Sequence, residues 1–142
     1  MNLKKIIAKD IMSEIVVSVS QDALVKDAAH LMMRDRVSGV PVMDEKKNII
    51  GIVTLTDLFK AIHESIKDED VDFLKEILQR KDKKVSEIMT KNVLAISPEA
   101  CLHEIIAIMI EYNIHTFPVK DKDQLIGIIG RHDILNAVFS FS

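Results

Sequence analysis

Gly51-Ile52-Val53-Thr54-Leu55-Thr56-Asp57 reappears, shifted by 76 positions, as Gly127-Ile128-Ile129-Gly130-Arg131-His132-Asp133. Each copy reads as an apolar strand running into the mouth of a helix, with a carboxylate in the helix's first turn. Downstream, Ala61 returns as Ala137. Upstream the shift becomes 77. Ile11-Met12, Val16, Ser20, Ala23, Met32, Pro41-Val42 and Asp44 return as Ile88-Met89, Val93, Ser97, Ala100, Met109, Pro118-Val119 and Asp121. Two copies of one unit, too small to be a solenoid array, predict a pseudo-symmetric pair with a cleft between its halves, the usual place for a ligand.

Each copy reads strand–helix–strand–strand–helix, a mixed α/β (α+β) chain of tandem β-α-β-β-α repeats. In the first copy Val16–Val19 is a short β-branched strand. Ser20 is expected to cap a helix with Asp22 in its first turn and apolar positions at Val25, Ala28, Ala29, Met32 and Met33. Gly39 ends that pattern, Val40–Met43 starts a strand, residues 44–48 form a polar hairpin turn, and Ile49–Leu55 is a second strand. A helix over Leu58–Ile66 follows Asp57. In the second copy Ser97-Pro98-Glu99 predicts a helix start, and the helix from Glu99 to Tyr112 is apolar on more than one face. That excess predicts a further burial partner, most simply another copy of the chain. The organisation expected is repeat 1 over 8–66, a charged linker over 67–84 with an amphipathic helix over 70–80, and repeat 2 over 85–140.

Composition sets the class. With 48% apolar and 29% charged residues the chain is an ordinary globular protein rather than a disordered one. A net charge of −3 gives no basic field for nucleic acid, and 4% aromatics leave few stacking platforms, so nucleic acid is not an expected partner. No leader-like or membrane-spanning stretch is read, and the expected compartment is the cytoplasm, with no membrane partner. The single Cys101 reads as a small buried hydrophobe in a helix, where His103 would point elsewhere. The five histidines (His30, His63, His103, His115 and His132) form no His-x-x-x-His pattern, and no Cys-x-x-Cys is present, so no metal site is expected.

The chemistry-bearing string is Thr54-x-x-Asp57. Hydroxyl and carboxylate three residues apart at a helix mouth face the same way. The carboxylate can accept from a ribose diol, and the hydroxyl and nearby amides can reach a sugar or phosphate. The same pair also makes an ordinary helix cap.

The duplication, the Ile-Met-Ser and Ile-Met-Thr openings, Gly-Val-Pro-Val and Thr-Phe-Pro-Val, and the Gly-Ile-x-x-x-x-Asp strand ends together resemble the cystathionine-β-synthase (CBS) domain family over residues 8–62 and 85–138. The resemblance implies a tandem CBS pair, or Bateman module, whose two clefts hold adenosine compounds and which regulates other proteins. It places Thr54 and Asp57 on ribose, with Ile52, Val93 and Leu94 packing on the base. His115, Thr116, Arg131 and His132 match positions that reach phosphates. A second, weaker cleft would use Asp133, Ile128, Val16, Val17, Ser38 and Gly39. There Gly130 replaces the hydroxyl and no cation is supplied, so weaker binding, an uncharged adenosyl ligand or no ligand is expected.

No P-loop, nucleophile elbow or catalytic acid–base pair is found, so an enzyme is not expected, and no catalytic cofactor. The expected function is regulatory sensing of an adenosine-containing ligand, with AMP, ADP or ATP ahead of S-adenosylmethionine, NAD-type and cyclic dinucleotides. The expected assembly is a homodimer acting on an effector protein that the sequence does not name. The alternative is a dimerisation or protein-interaction module with no ligand.

Overall fold

The computed structural model describes residue 2 and residues 4–14, 17–66 and 83–140. The linker helix expected over 70–80 and the site position Val16 lie outside the described residues. Contacts divide the chain into two compact units: Val17–Asn92, and Met1–Val16 together with Val93–Ser142.

In the unit Val17–Asn92, β1 (Val19–Ser20) runs parallel to β2 (Gly39–Met43), which pairs antiparallel with β3 (Ile49–Thr54). Helix α2 (Val25–Asp35) joins β1 to β2, and α3 (Leu55–Ile66) follows β3. The hairpin turns where expected. The Asp44 carboxylate accepts the backbone N–H groups of Lys46 and Asn48 at 2.9 and 2.8 Å, with Lys47 in the left-handed region at φ 64°. The core is Ala28, Met32, Val40, Val42, Val53 and Val85, with Ile88 and Met89 packed against it.

The other unit holds the short helix α1 (Ala8–Ile11), α4 (Leu102–Tyr112), the hairpin β4 (Thr116–Asp121) and β5 (Gln124–Gly130), and α5 (Arg131–Phe139). Lys122 and Asp123, both at positive φ, form the two-residue connection. Its core gathers Ala8, Ile96, Leu102, Ile105, Phe117, Val119, Ile129 and Ile134. Burying each large member is worth about 1.5–3 kcal/mol.

The leading segment of each sequence repeat thus packs in the other repeat's core. Ile6, Ala8, Ile11 and Met12 belong with α4 and β5, whereas Val85, Ile88 and Met89 belong with α2 and β3. Each segment also adds a backbone bridge. Ile52 exchanges both hydrogen bonds with Thr90, each 2.9 Å, and Ile128 exchanges both with Ser13, at 3.1 and 2.9 Å. These bridges explain how proline sits inside a paired strand. Pro41 lies opposite Ile52 and Pro118 opposite Ile128, positions whose backbone groups already face the other way, so the missing N–H costs no ladder bond.

The helix starts differ from those expected. Helix α2 begins at Val25 with Leu24 as its extended N-cap, not at Ser20, and α4 begins at Leu102 with Cys101 extended, not at Glu99. The cause is long-range pairing. Val25 N–H donates to Lys83 and Val85 N–H to Ala23, while Ala8 N–H donates to Ala100 and Leu102 N–H to Ile6. These bonds hold residues 24 and 101 extended, and Ser20 and Ser97 cap only the tight turns before them, through Asp22 and Glu99 N–H. Repeat 2's first strand shrinks to one parallel bridge between Ile96 and Val119, so Val93 and Leu94 precede it in irregular chain. Helix α3 starts earlier than expected, at Leu55. Both α2 and α4 end on a left-handed residue, Arg36 and Asn113, at equivalent places.

Candidate functional site

The end of β3 and the start of α3 bring Thr54, Asp57 and Thr90 together. Asp57 is 7% exposed. Its Oδ2 accepts the Thr54 N–H at 2.9 Å and the Thr54 hydroxyl at 3.0 Å, while the Asp57 N–H donates to Thr54 Oγ1 at 3.2 Å. That reciprocal arrangement is a capping box. The Thr90 hydroxyl adds a third donor, 3.0 Å from Oδ1 and 3.2 Å from Oδ2. The helix-cap alternative for Thr-x-x-Asp is therefore realised, and the carboxylate also fastens the 85–90 segment to the strand end. A carboxylate offers about four acceptor positions, so roughly one remains on Oδ1.

Ile52, two residues earlier on β3, is buried. Ser38 and Gly39 lie beside Thr54: Gly39 is its register partner, and Leu55 N–H donates to the Ser38 carbonyl at 3.0 Å. Val17 precedes β1 in the same unit.

The equivalent strand end in the other unit gathers His115, Thr116, Gly130, Arg131, His132 and Asp133. Thr116, 8% exposed, is the register partner of Gly130, and Gly130 N–H donates to Asp133 Oδ2 at 2.7 Å. His115 is half-buried, its Nε2 3.1 Å from Asn113 Oδ1, and Arg131 and His132 are exposed. Among the described residues Arg131 makes no ion pair. Ile128 faces Pro118 in register, and Leu94 is 40% exposed. The residues expected on one nucleotide thus divide into two sets: Ile52, Thr54 and Asp57 in one unit, and Val93, Leu94, His115, Thr116, Arg131 and His132 in the other.

Thr90 is the site residue that sequence reasoning missed. Its signal was present: the Ile-Met-Ser and Ile-Met-Thr openings place a hydroxyl directly after the duplicated methionine in both copies. A groove of about 460 Å³ along α2, lined by Val19, Ala23, Ala28 and Leu31 and rimmed by Asp27, His30 and Arg34, was also not foreseen.

The model of the CBS domain matches residues 8–64 and 85–140. The chain belongs to the CBS domain family. Solved CBS structures share the fold along nearly the whole chain. A CBS domain pair of protein MJ0100 in complex with 5'-methylthioadenosine and S-adenosyl-L-methionine is 25% identical at a TM-score of 0.76, covering 96% of this chain and 98% of that one. CBSX2 in complex with AMP gives the same identity, TM-score and coverage. CBS pairs similar to this one therefore hold adenosine compounds. Among curated sequences, a homoserine O-acetyltransferase of Methanosphaera stadtmanae is 36% identical over 94% of this chain, but the chain spans only 24% of it. The chain spans about a quarter of the length of that relative, which is named for an enzyme much longer than its CBS part. Among the described residues no helix is long and apolar enough to cross a membrane.

Proposed function

We propose that this CBS pair is a non-enzymatic regulatory module of the cytoplasm that senses an adenine nucleotide. The supporting observation is that CBS pairs 25% identical along nearly their full length hold AMP, or 5'-methylthioadenosine with S-adenosyl-L-methionine, while this chain carries Thr54 and Asp57 at one strand end and exposed Arg131 and His132 at the other. Asp57 Oδ1, with one acceptor position left, takes a single ribose hydroxyl rather than both. Ile52 packs on the base. His115, Thr116 and Arg131 hold the phosphate, Arg131 through its paired N–H donors. Binding that favours one arrangement of the chain over another by about 1–3 kcal/mol is enough to signal to an effector protein. The strand end at Ile128 and Asp133 has Gly130 in place of the hydroxyl, so it takes an uncharged adenosyl compound or none.

Apolar exposure supports self-association. Met33 and Ile110 occupy equivalent places in the two repeats and are 66% and 76% exposed, and the equivalent Phe59 and Leu135 are 66% and 50% exposed. Two copies of one apolar face suit a homodimer.

Calorimetric titration with AMP, ADP, ATP and S-adenosyl-L-methionine tests the reading. Saturable binding of a nucleotide is expected, and Arg131→Ala is expected to weaken it by about 1.5–3 kcal/mol, the scale of a charged hydrogen bond lost. S-adenosyl-L-methionine, which has no phosphate, serves as the control that Arg131→Ala leaves unchanged. Asp57→Ala weakens every adenosyl ligand but also removes the α3 cap, so its unfolding curve is recorded alongside. No heat with any compound from folded protein rejects the sensor and leaves the dimerisation module.

A further inference from the structure

Cys101, His103 and Glu104 converge at the first turn of α4. The Cys101 Sγ lies 3.0 Å from His103 Nδ1, and Glu104 Oε2 accepts the Cys101 N–H at 3.4 Å. One sulfur, one ring nitrogen and one carboxylate oxygen all lie within 4.8 Å of one another. Sequence reading placed Cys101 inside a helix and buried, where residues two apart point about 200° apart. Instead Cys101 is half-buried and extended, at φ −83° and ψ 153°, because Ala100 and Leu102 are tied to Ala8 and Ile6. The thiol consequently meets the side chains of the turn it precedes. The expected absence of a metal site rested on His-x-x-x-His and Cys-x-x-Cys spacings, and Cys-x-His-Glu is neither.

We propose that Cys101, His103 and Glu104 form a binding site for one divalent transition ion of the Zn²⁺ type. The donor set decides the class: a thiolate and an imidazole select Zn²⁺ and its neighbours over Mg²⁺ or Ca²⁺, which take oxygen. The distances fit. Metal–sulfur and metal–nitrogen bonds of about 2.3 and 2.0 Å at a tetrahedral angle separate the two donors by about 3.5 Å, so the hydrogen-bonded pair opens by roughly half an ångström. The charges fit as well, since thiolate and carboxylate balance two positive charges and offset the positive end of α4. Binding releases the thiol proton to solvent, the imidazole binds neutral through Nδ1, and water takes the fourth position. His103 and Glu104 are exposed, so the ion enters from solvent, and the Cys101 N–H orients the carboxylate.

Co²⁺ titration of the reduced protein tests this, because a thiolate ligand gives a near-ultraviolet charge-transfer band. The expected result is a band that saturates at one ion per chain and vanishes on adding Zn²⁺. It is lost in Cys101→Ser, and Co²⁺ binds about tenfold or more weakly in His103→Ala and Glu104→Gln. His103 and Glu104 are exposed, so their variants keep the wild-type circular dichroism. Absence of the band, or unchanged Co²⁺ affinity in both His103→Ala and Glu104→Gln, overturns the site. Adenosyl-ligand binding is not part of the readout, so this outcome is independent of the proposed sensing function.

Discussion

Replacing each of the two duplicated glycines by alanine, with and without truncation of the methionine that faces it, gives two double-mutant cycles that differ for a structural reason. A Cβ at Gly51 would stand 2.9 Å from Met89 Cγ and 2.9 Å from the Thr90 carbonyl oxygen. Backbone cannot swing aside, and that carbonyl is bonded to Ile52 N–H at 2.9 Å, so the bridge itself must shift. At Gly127 the three nearest atoms all belong to the Met12 side chain, with Cγ at 2.8 Å and Cβ at 3.1 Å. Overpacking of this kind costs about 1–3 kcal/mol at either position. Truncating the methionine removes the sulfur and Cγ in both cases, but only at Gly127 does that clear most of the obstruction. Gly127→Ala in a Met12→Ala background is therefore expected to cost about 1 kcal/mol less than in the wild type, whereas Gly51→Ala keeps most of its cost in a Met89→Ala background. Urea unfolding followed by circular dichroism, with the four variants of each cycle, gives the coupling energies. Equal coupling in the two cycles, or a neutral Gly51→Ala, refutes the claim that Thr90 backbone forbids a side chain at residue 51.

Two further outcomes follow from particular contacts. Hydrogen bonds from the Asn48 backbone, first among their causes, and from Lys46 hold the Asp44 carboxyl below the usual carboxylate range. A depressed folded value means the hairpin's share of stability is present above the unfolded pKa and is lost as pH falls through the folded one. Nuclear magnetic resonance should show Asp44 titrating at lower pH than in a peptide of residues 42–50, with the Lys46 and Asn48 amides moving together with it; coincident titrations would exclude the effect. For assembly, Phe59→Glu and Leu135→Glu together should turn a dimer into a monomer of unchanged helix content, since each buried apolar side chain is worth about 1.5–3 kcal/mol, tenfold or more in affinity. Sedimentation velocity distinguishes the forms, and an unchanged mass would place the interface elsewhere.

Period and duplication were enough to read both hairpins and, among the described residues, the existence of the four long helices, because those depend on residues near one another. Ser20 and Ser97 misled about helix starts because the bonds that hold Leu24 and Cys101 extended come from residues 83–85 and 6–8, far away in sequence. A separation of 33 residues hid Thr90 from Asp57, and the bonds from Ala8 and Ile6 that hold Cys101 extended hid its contact with His103. Asp57 was singled out from the sequence, but its burial and its three donors became visible only once the 85–90 segment was seated on β3.

The exchange of leading segments also sets a timetable for synthesis. A chain leaves the ribosome from its N-terminus, and domains close as their parts emerge. The Val17–Asn92 unit is one continuous length and can close as soon as Val85, Ile88 and Met89 are out. Residues 6–12 are made before the Val17–Asn92 unit, yet the residues that cover them, Leu102, Ile105 and Ile129, are made after it. The apolar segment over residues 6–12 therefore waits, uncovered, while residues 17–92 are translated, and it is the stretch on which a nascent-chain chaperone would act.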